Sequence, residues 1–487
     1  GVKLGYKDDY EDNKRYKPSS DTLSSGSYQW WEWEASLATA DSAKNQQRFS
    51  YAERTDRLKN GLALGRATFA KIYCYELGLN KSEVSQLGIR VNYRTLDIVN
   101  PEITTLKKEN TLISRLEYGL RLWQGMVVSN TFYELGSGLE NRREYIFVET
   151  AVGQGTHIFI DYNGNEQKEL NEFELAIQPD QIASANFLKV FVPTNDYRKV
   201  FTNQFSQSLM LRPAAIWRGK AGALKLISRF SNQFTFASDR KNLQLPFPDQ
   251  FNPFLFNLND SLLQSTNANL RNIFYFNQSN PVFGADLNYQ RLEGRNLLTN
   301  GFESRKQEKT SVGVRWNFTS GLGLEVRPEQ GFKILSSDAG ALATRNYRVF
   351  YQQVEPKLNI QPGSKWRLSF IFNYKEQQNL NKQVIYQLGA ERAVIRRTGL
   401  EFTLSSPEKG NLIVNSALVS ISYSGLTNST VGYEMLEGLQ PGLNTTWGVA
   451  YQRTLANNLQ ISVNYNGRQS PGIKMIHTGG VQARAFF

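Results

Sequence analysis

From residue 187 to the C-terminus the chain alternates in steps of two. Residues 366–375 set Trp366, Leu368, Phe370, Phe372 and Tyr374 against Arg367, Ser369, Ile371, Asn373 and Lys375. Leu459, Ile461, Val463 and Tyr465 interleave in the same way with Gln460, Ser462, Asn464 and Asn466, and Phe283, Ala285, Leu287 and Tyr289 with Gly284, Asp286, Asn288 and Gln290. Counting back in twos from Phe487 gives Ala485, Ala483, Val481, Gly479 and His477; the other parity gives Phe486, Arg484, Gln482, Gly480 and Thr478. A side-chain period of two belongs to a strand with one apolar or small face and one polar face. No helical stripe of useful length competes.

The segments 200–211, 224–236, 270–276, 283–289, 312–318, 322–326, 347–360, 366–374, 383–404, 412–423, 447–451, 459–465 and 475–487 read as strands, and 187–192 completes an even set of about 14. A parity shift at Gln352-Gln353 reads as a β-bulge. The connections alternate as well. Residues 277–281, 320–321, 361–364, 406–410 and 455–458 are short links; 238–266, 291–309, 335–345, 376–382, 425–444 and 467–472 are longer. Outer-membrane barrels have short periplasmic turns and longer extracellular loops. Counted from a periplasmic C-terminus, every short link falls on the periplasmic side and every long one outside. The fold class that meets this pattern is all-β, an antiparallel transmembrane β-barrel of about 14 strands.

Upstream, residues 1–27 are charged and Ser/Gly-rich with no period and read as a flexible lead-in. Residues 28–185 read as a β-rich, sandwich-like domain. Trp30, Trp31 and Trp33 crowd its first segment, and Leu112, Leu116, Tyr118, Leu120 and Leu122 oppose Arg115, Glu117 and Arg121 in a later one. The barrel then occupies 186–487. Gly1 stands where an exported chain should carry a secretory signal, so a processed form or the C-terminal part of a longer protein is expected. Hydrophobic residues make up 40% of the chain and mean hydropathy is −0.46. No run approaches the ~18–20 apolar residues of a membrane helix. A transmembrane barrel shows lipid only alternate residues, so a low average is compatible with it.

One cysteine, Cys74, gives no disulfide framework, and two histidines, His157 and His477, leave little material for hydrolase or zinc chemistry. A non-enzymatic protein is expected. The net charge of +12 is spread singly over the strands, so nucleic acid is not an expected partner. Asp161, Asn163, Asn165, Gln167, Glu169 and Glu172 fall at positions 1, 3, 5, 7, 9 and 12 of a calcium-loop template. Glu166 occupies position 6, where glycine is usual, so the alternative is a polar Asn-Gly turn before an acidic strand. Arg315, Arg327, Arg348, Arg367, Lys375 and Arg484 form a candidate basic lumen wall, with Glu325 and Glu401 available as partners. Phe247, Phe251, Phe254 and Phe256 mark one loop as either a plug folded into the barrel or a contact for another protein.

Residues 433–442 (YEMLEGLQPG), then Trp447, Gln452-Arg453, Leu459 and the Arg468…His477-Thr478-Gly479…Gln482–Phe487 ending, resemble the end of large, mostly uncharacterised Bacteroidota outer-membrane proteins. Gly153-Gln154-Gly155, Asp161–Asn165 and Glu172-Phe173 are similar to an upstream segment of the same group. The resemblance covers roughly the latter two thirds. It implies an outer-membrane location among lipid and lipopolysaccharide, and Val481, Phe486 and Phe487 as the signal read by the barrel assembly machinery. It carries over no catalytic residues. Such barrels often work in assemblies, so the expected function is a barrel subunit of an outer-membrane complex for protein assembly, secretion or surface display, with outer-membrane or periplasmic protein partners. A free-standing porin or transporter with a basic lumen and a soluble β-sandwich binding protein are the alternatives.

Overall fold

The structure, a computed structural model, describes residues 1–487 except 18–21, 83, 247–248, 256–261, 299–300, 338–344, 382–390, 407–409, 457–458 and 486–487. Phe247, Phe256, Phe486 and Phe487 therefore lie outside the described residues. The first strands are β1 (Val2–Asn13), β2 (Tyr28–Thr39), β3 (Asn45–Asn60), β4 (Ala63–Ser82), β5 (Ser85–Ile98), β6 (Glu109–Leu122) and β7 (Val127–Glu149). Next come β8 (His157–Phe159), β9 (Phe173–Leu175), α1 (Pro179–Ser184), β10 (Phe187–Leu211), α2 (Ala214–Trp217), α3 (Ala223–Ile227), β11 (Phe230–Asn242) and β12 (Leu263–Phe276). The remainder is β13 (Phe283–Leu298), β14 (Gly301–Thr319), β15 (Leu322–Ser337), β16 (Tyr347–Ile360), β17 (Trp366–Asn379), β18 (Arg392–Ser406), β19 (Gly410–Ser424), α4 (Thr430–Leu436), β20 (Gly442–Ala456), β21 (Leu459–Gln469) and β22 (Ile476–Ala485). The chain is all-β and its sheet is antiparallel. It divides into two compact units, Gly1–Asn141 with Asp196–Leu224 and Gln233–Ala268, and Arg142–Asn195 with Lys225–Asn232 and Asn269–Phe487.

In the first unit β1 to β7 form a meander in which each strand pairs with the next. The expected flexible lead-in is instead β1, paired with β2 from Val2↔Thr39 to Asn13↔Tyr28. Val2, Leu4, Tyr6 and Tyr10 share one exposed face of it, opposite Lys3, Lys7, Asp9 and Glu11. The charged parity had hidden this alternation. β2 to β7 run from 12 to 23 residues, far beyond the ~5–6 typical of soluble strands. Trp33, Tyr51, Tyr73 and Tyr93 form a ladder over β2 to β5 with ring centroids 5.6, 5.0 and 6.4 Å apart. Tyr51↔Tyr73 and Tyr73↔Tyr93 are direct cross-strand partners, each pair contributing on the order of 0.2–1 kcal/mol.

In the second unit β13 to β22 pair in sequence order, apart from α4 between β19 and β20. The long link expected at 291–309 is mostly strand: β13 and β14 stay in register from Phe283↔Trp316 to Leu298↔Gly301. Arg291, Glu293, Glu303, Lys306 and Glu308 carry the pairing there, and charged residues on both parities show no apolar period. The expected bulge at Gln352-Gln353 is also absent, since β15 and β16 pair without a shift from Leu322↔Ile360 to Leu335↔Tyr347. The parity only appeared to change because Val349 and Tyr351 are apolar residues on the otherwise polar face.

Burial on this sheet is inverted relative to a soluble protein. On one face Trp316 is 51% exposed, Leu418 52% and Phe370 43%, while on the other Ser369 is 0%, Gln377 1% and Lys375 6% exposed. Water-soluble folds bury the apolar side of a sheet. Here the polar side is covered, and the cover comes from the unit's own connections.

Candidate functional site

Two connections of the second unit lie on the polar face, residues 150–186 and 425–441. The expectation placed 425–444 outside as a long loop, but the chain folds back onto the polar face there and forms α4. Ser429 caps it by accepting a hydrogen bond from the Gly432 N–H. Val431, Met435, Leu436 and Leu439 then pack on Val349, Ala393, Ile395, Val419 and Ile421 of β16, β18 and β19. The helix ends where Glu437 takes a left-handed conformation (φ 55°, ψ 36°) followed by Gly438 at φ 73°. A non-glycine residue in that region is strained by about 1–3 kcal/mol unless its surroundings hold it.

The surroundings hold it by charge. Lys375 Nζ lies 2.6 Å from one Glu437 oxygen and Arg397 donates to the other at 3.3 Å. Lys333 reaches Glu434 at 2.5 Å, and the Gln377 amide donates to the Met435 carbonyl at 2.7 Å. Burial alone would raise the Glu437 pKa; Lys375, then Arg397 and Lys333, outweigh it and hold the carboxyl below the usual glutamate range.

Residues 150–186 are locked to α4 and to the sheet. Gln178 donates to the Glu437 carbonyl at 2.8 Å, and Tyr433 OH meets the Leu175 carbonyl and the Gln181 side chain at 2.9 and 3.0 Å. Arg468 of β21 binds Asp180 at 2.5 Å and the Gly438 carbonyl at 2.9 Å. Arg345 pairs with Glu174 at 3.6 Å and donates to the Leu170 and Phe173 carbonyls. Tyr162 OH donates to Glu174 at 3.0 Å. Burial of Glu174 prevails over Arg345 and raises its pKa.

His157, on β8, accepts or donates at 2.8 Å to Thr156 Oγ1 and meets Phe147 edge-on. Burial first, then the charges of Lys189, Arg305 and Arg345, push its pKa down to about 4. The folded state keeps this imidazole neutral, whereas the unfolded chain takes up a proton below about pH 6.5. Stability therefore falls as pH drops from there toward about 4. The expected result is that His157→Gln narrows the melting-temperature gap between about pH 7.5 and pH 5, read by scanning calorimetry.

The expected wall residues are dispersed. Arg327 pairs with Asp286 at 3.1 Å and Glu325 at 3.3 Å, Arg367 with Glu401 at 3.1 Å, and Arg315 donates to the Asn280 carbonyl at 2.8 Å. Arg484 shares the polar parity of β22 and is exposed. Arg348 does not belong with them. It sits on the parity opposite Tyr351, its guanidinium 5.6 Å from the Phe332 ring. Lys375 alone of the six reaches the inward segments. Val481 is exposed on the outer parity of β22.

In the 161–172 loop, Asp161 accepts the N–H groups of Gly164 and Glu166 at 2.6 and 2.9 Å, and Asn163 and Asn165 accept those of Asn165 and Gln167. Asn163 also donates to Glu169, and buried Glu172 accepts from the backbone of Tyr162 and Glu169. These oxygens serve turns of the loop itself. Among the described residues no three His, Cys, Asp or Glu side chains gather as a metal site.

In the first unit the aromatic loop folds back onto strand side chains. Phe254 packs on Phe205 and Phe236 with centroids 5.1 and 5.9 Å away. Tyr133 donates to the Phe251 carbonyl at 2.5 Å, and buried Arg240 donates to the Leu255 and Asp249 carbonyls.

Sequence reasoning missed Glu434, Glu437, Asp180, Glu174, Arg345 and Arg468. Each is an isolated charge in a connection or on a strand, with a partner far along the chain. The available signal was the short spacing of Val431, Met435 and Leu436 between Ser429 and Gly438, a capped helix of two turns.

No protein-family model matches the sequence, and no curated relative does. Among solved structures the chain is similar to the siderophore receptor PirA from Pseudomonas aeruginosa, at 9% identity and TM-score 0.38, covering 100% of this chain and 73% of that one. It is also similar to PiuA from Acinetobacter baumannii (10% identity, TM-score 0.35, 96% and 72% coverage) and to the ferric-catecholate import receptor Fiu from E. coli K12 (9%, 0.33, 95% and 72%).

Proposed function

We propose that this chain is an outer-membrane β-barrel transporter of a Gram-negative bacterium, non-enzymatic, whose lumen is occupied by its own inward segments. The observation that carries the reading is the inverted burial of the second unit. An apolar exposed face with a polar covered face suits strands whose outside meets lipid. Among the described residues no helix is long and apolar enough to cross a membrane; in this reading the strands cross it. The aromatic ladder Trp33–Tyr51–Tyr73–Tyr93 fits an interfacial girdle. Three of the six expected wall cations, Arg327, Arg367 and Lys375, are matched by carboxylates, which weakens anion selection as the purpose of the lumen.

This favours the transporter over the complex subunit, because the polar face is covered from within the chain. Lipopolysaccharide and the barrel assembly machinery remain its proposed partners, and the Bacteroidota-like origin rests on the sequence resemblance alone. Phe370→Arg, on the exposed apolar face, is expected to lower folding stability in vesicles by about 2–4 kcal/mol. Urea titration with heat-modifiable gel mobility reads this. A purified wild-type chain should show little conductance in planar bilayers. A wide, permanently open pore would remove the occupied lumen from the account, and stoichiometric co-eluting proteins would return the subunit reading.

A further inference from the structure

A cavity of about 500 Å³ lies in the second unit between the inward segments and the polar face of β18 to β22. Small-molecule sites span roughly 300–1,000 Å³. Its charges cancel: Lys333 faces Glu434, Arg397 faces Glu437 and Arg468 faces Asp180. Among the described lining residues no charge is left unmatched for an ionic ligand.

The free valences are neutral. Asn415, Gly448, Asn466 and Thr478 form one cross-strand row over β19, β20, β21 and β22. Gly448 makes the row possible, since an added Cβ would stand 2.8 Å from the side-chain oxygens of both Asn415 and Asn466. The two amides thus fold over a bare backbone and face the cavity. At its rim Asp180 and Arg468 pair with each other at 2.5 Å and add no free charge. Ile177, Leu439 and Ile476 add apolar patches between the polar groups.

We infer that this cavity binds a neutral, polyhydroxylated solute the size of one or two sugar rings. Hydroxyls satisfy the amides, ring C–H faces meet the apolar patches, and charge balance excludes ionic competitors. The site's use in transport rests on the function proposed above; binding itself does not, because it is read on the purified chain.

Isothermal titration calorimetry tests it, with the full chain in a detergent that carries no sugar head group. The probes are sucrose, maltose, cellobiose and trehalose, with glucose 6-phosphate and choline as charged controls. At least one neutral disaccharide is expected to bind with Kd of about 1 mM or tighter, and neither control should bind more tightly. Gly448→Ala, which pushes both amides aside, and Asn466→Leu should each weaken binding about tenfold with heat-modifiable mobility unchanged. No neutral binder below about 10 mM, tighter binding of a charged control, or full affinity in both variants overturns the inference. Loss of the membrane reading would appear instead in the Phe370→Arg experiment.

Discussion

Glu437→Gln is expected to release residues 425–441 from the polar face. The substitution keeps size and hydrogen-bonding capacity but removes the charge that faces Lys375 and Arg397. The Lys375 side chain is deeply buried, so its ammonium is left without a counter-ion. Breaking one side of a buried pair costs about 3–5 kcal/mol. The strained φ of Glu437 loses its main restraint at the same time. The expected readouts are rapid proteolysis within 425–441 and conductance that the wild type lacks. Lys375→Met in the same chain should recover much of the loss, because it removes the orphaned charge; a non-additive double-mutant cycle is the signature of a direct pair. Acid should mimic the substitution. The Glu437 pKa is held low, so its contribution is complete above the ordinary glutamate value of about 4.3 and is lost as pH falls through the lower folded value.

Arg345→Met should be the second large loss, of about 3–5 kcal/mol, and should fall on residues 150–186. Arg345 is buried, as is its partner Glu174, and its guanidinium also serves the carbonyls of Leu170 and Phe173. Removing it strands a carboxylate and two carbonyls together. Burial already raises the Glu174 pKa, and without Arg345 the carboxyl should protonate more readily still. The loss should therefore be smaller in mild acid than at neutral pH, opposite in direction to the acid loss at Glu437. Hydrogen exchange of the 150–186 amides against pH reads it, and an unchanged protection pattern would show that Arg345 anchors nothing.

The strands were legible because their outward parity is apolar and continuous: Trp366 to Tyr374 and Leu459 to Tyr465 lie in paired strands. Legibility failed where charge occupies both parities, as in 291–309, and where the polar face borrows apolar residues, as at Val349 and Tyr351. β1 was lost because lysines and carboxylates alternate with its tyrosines. Of the site, only Lys375 could be picked out, by its strand parity. Glu437 and Lys375 are 62 residues apart, and Asp180 and Arg468 are 288. No local period encodes a contact between a connection and the wall it folds against. The Asn415–Gly448–Asn466 row likewise exists only through register, since each residue alone is an ordinary polar or small position on a strand.

The central claim is that the apolar face of these strands meets lipid. Its most direct test is nitroxide scanning of β17 in vesicles, after Cys74→Ser removes the one native thiol. Labels placed singly along residues 366–374 are compared for collision with oxygen, which concentrates in lipid, and with a water-soluble nickel chelate. The account predicts alternation in twos, with 366, 368, 370 and 372 reached by oxygen and 367, 369, 371 and 373 shielded from it. Uniform accessibility along the strand, or a chain that stays in the aqueous phase, would contradict it.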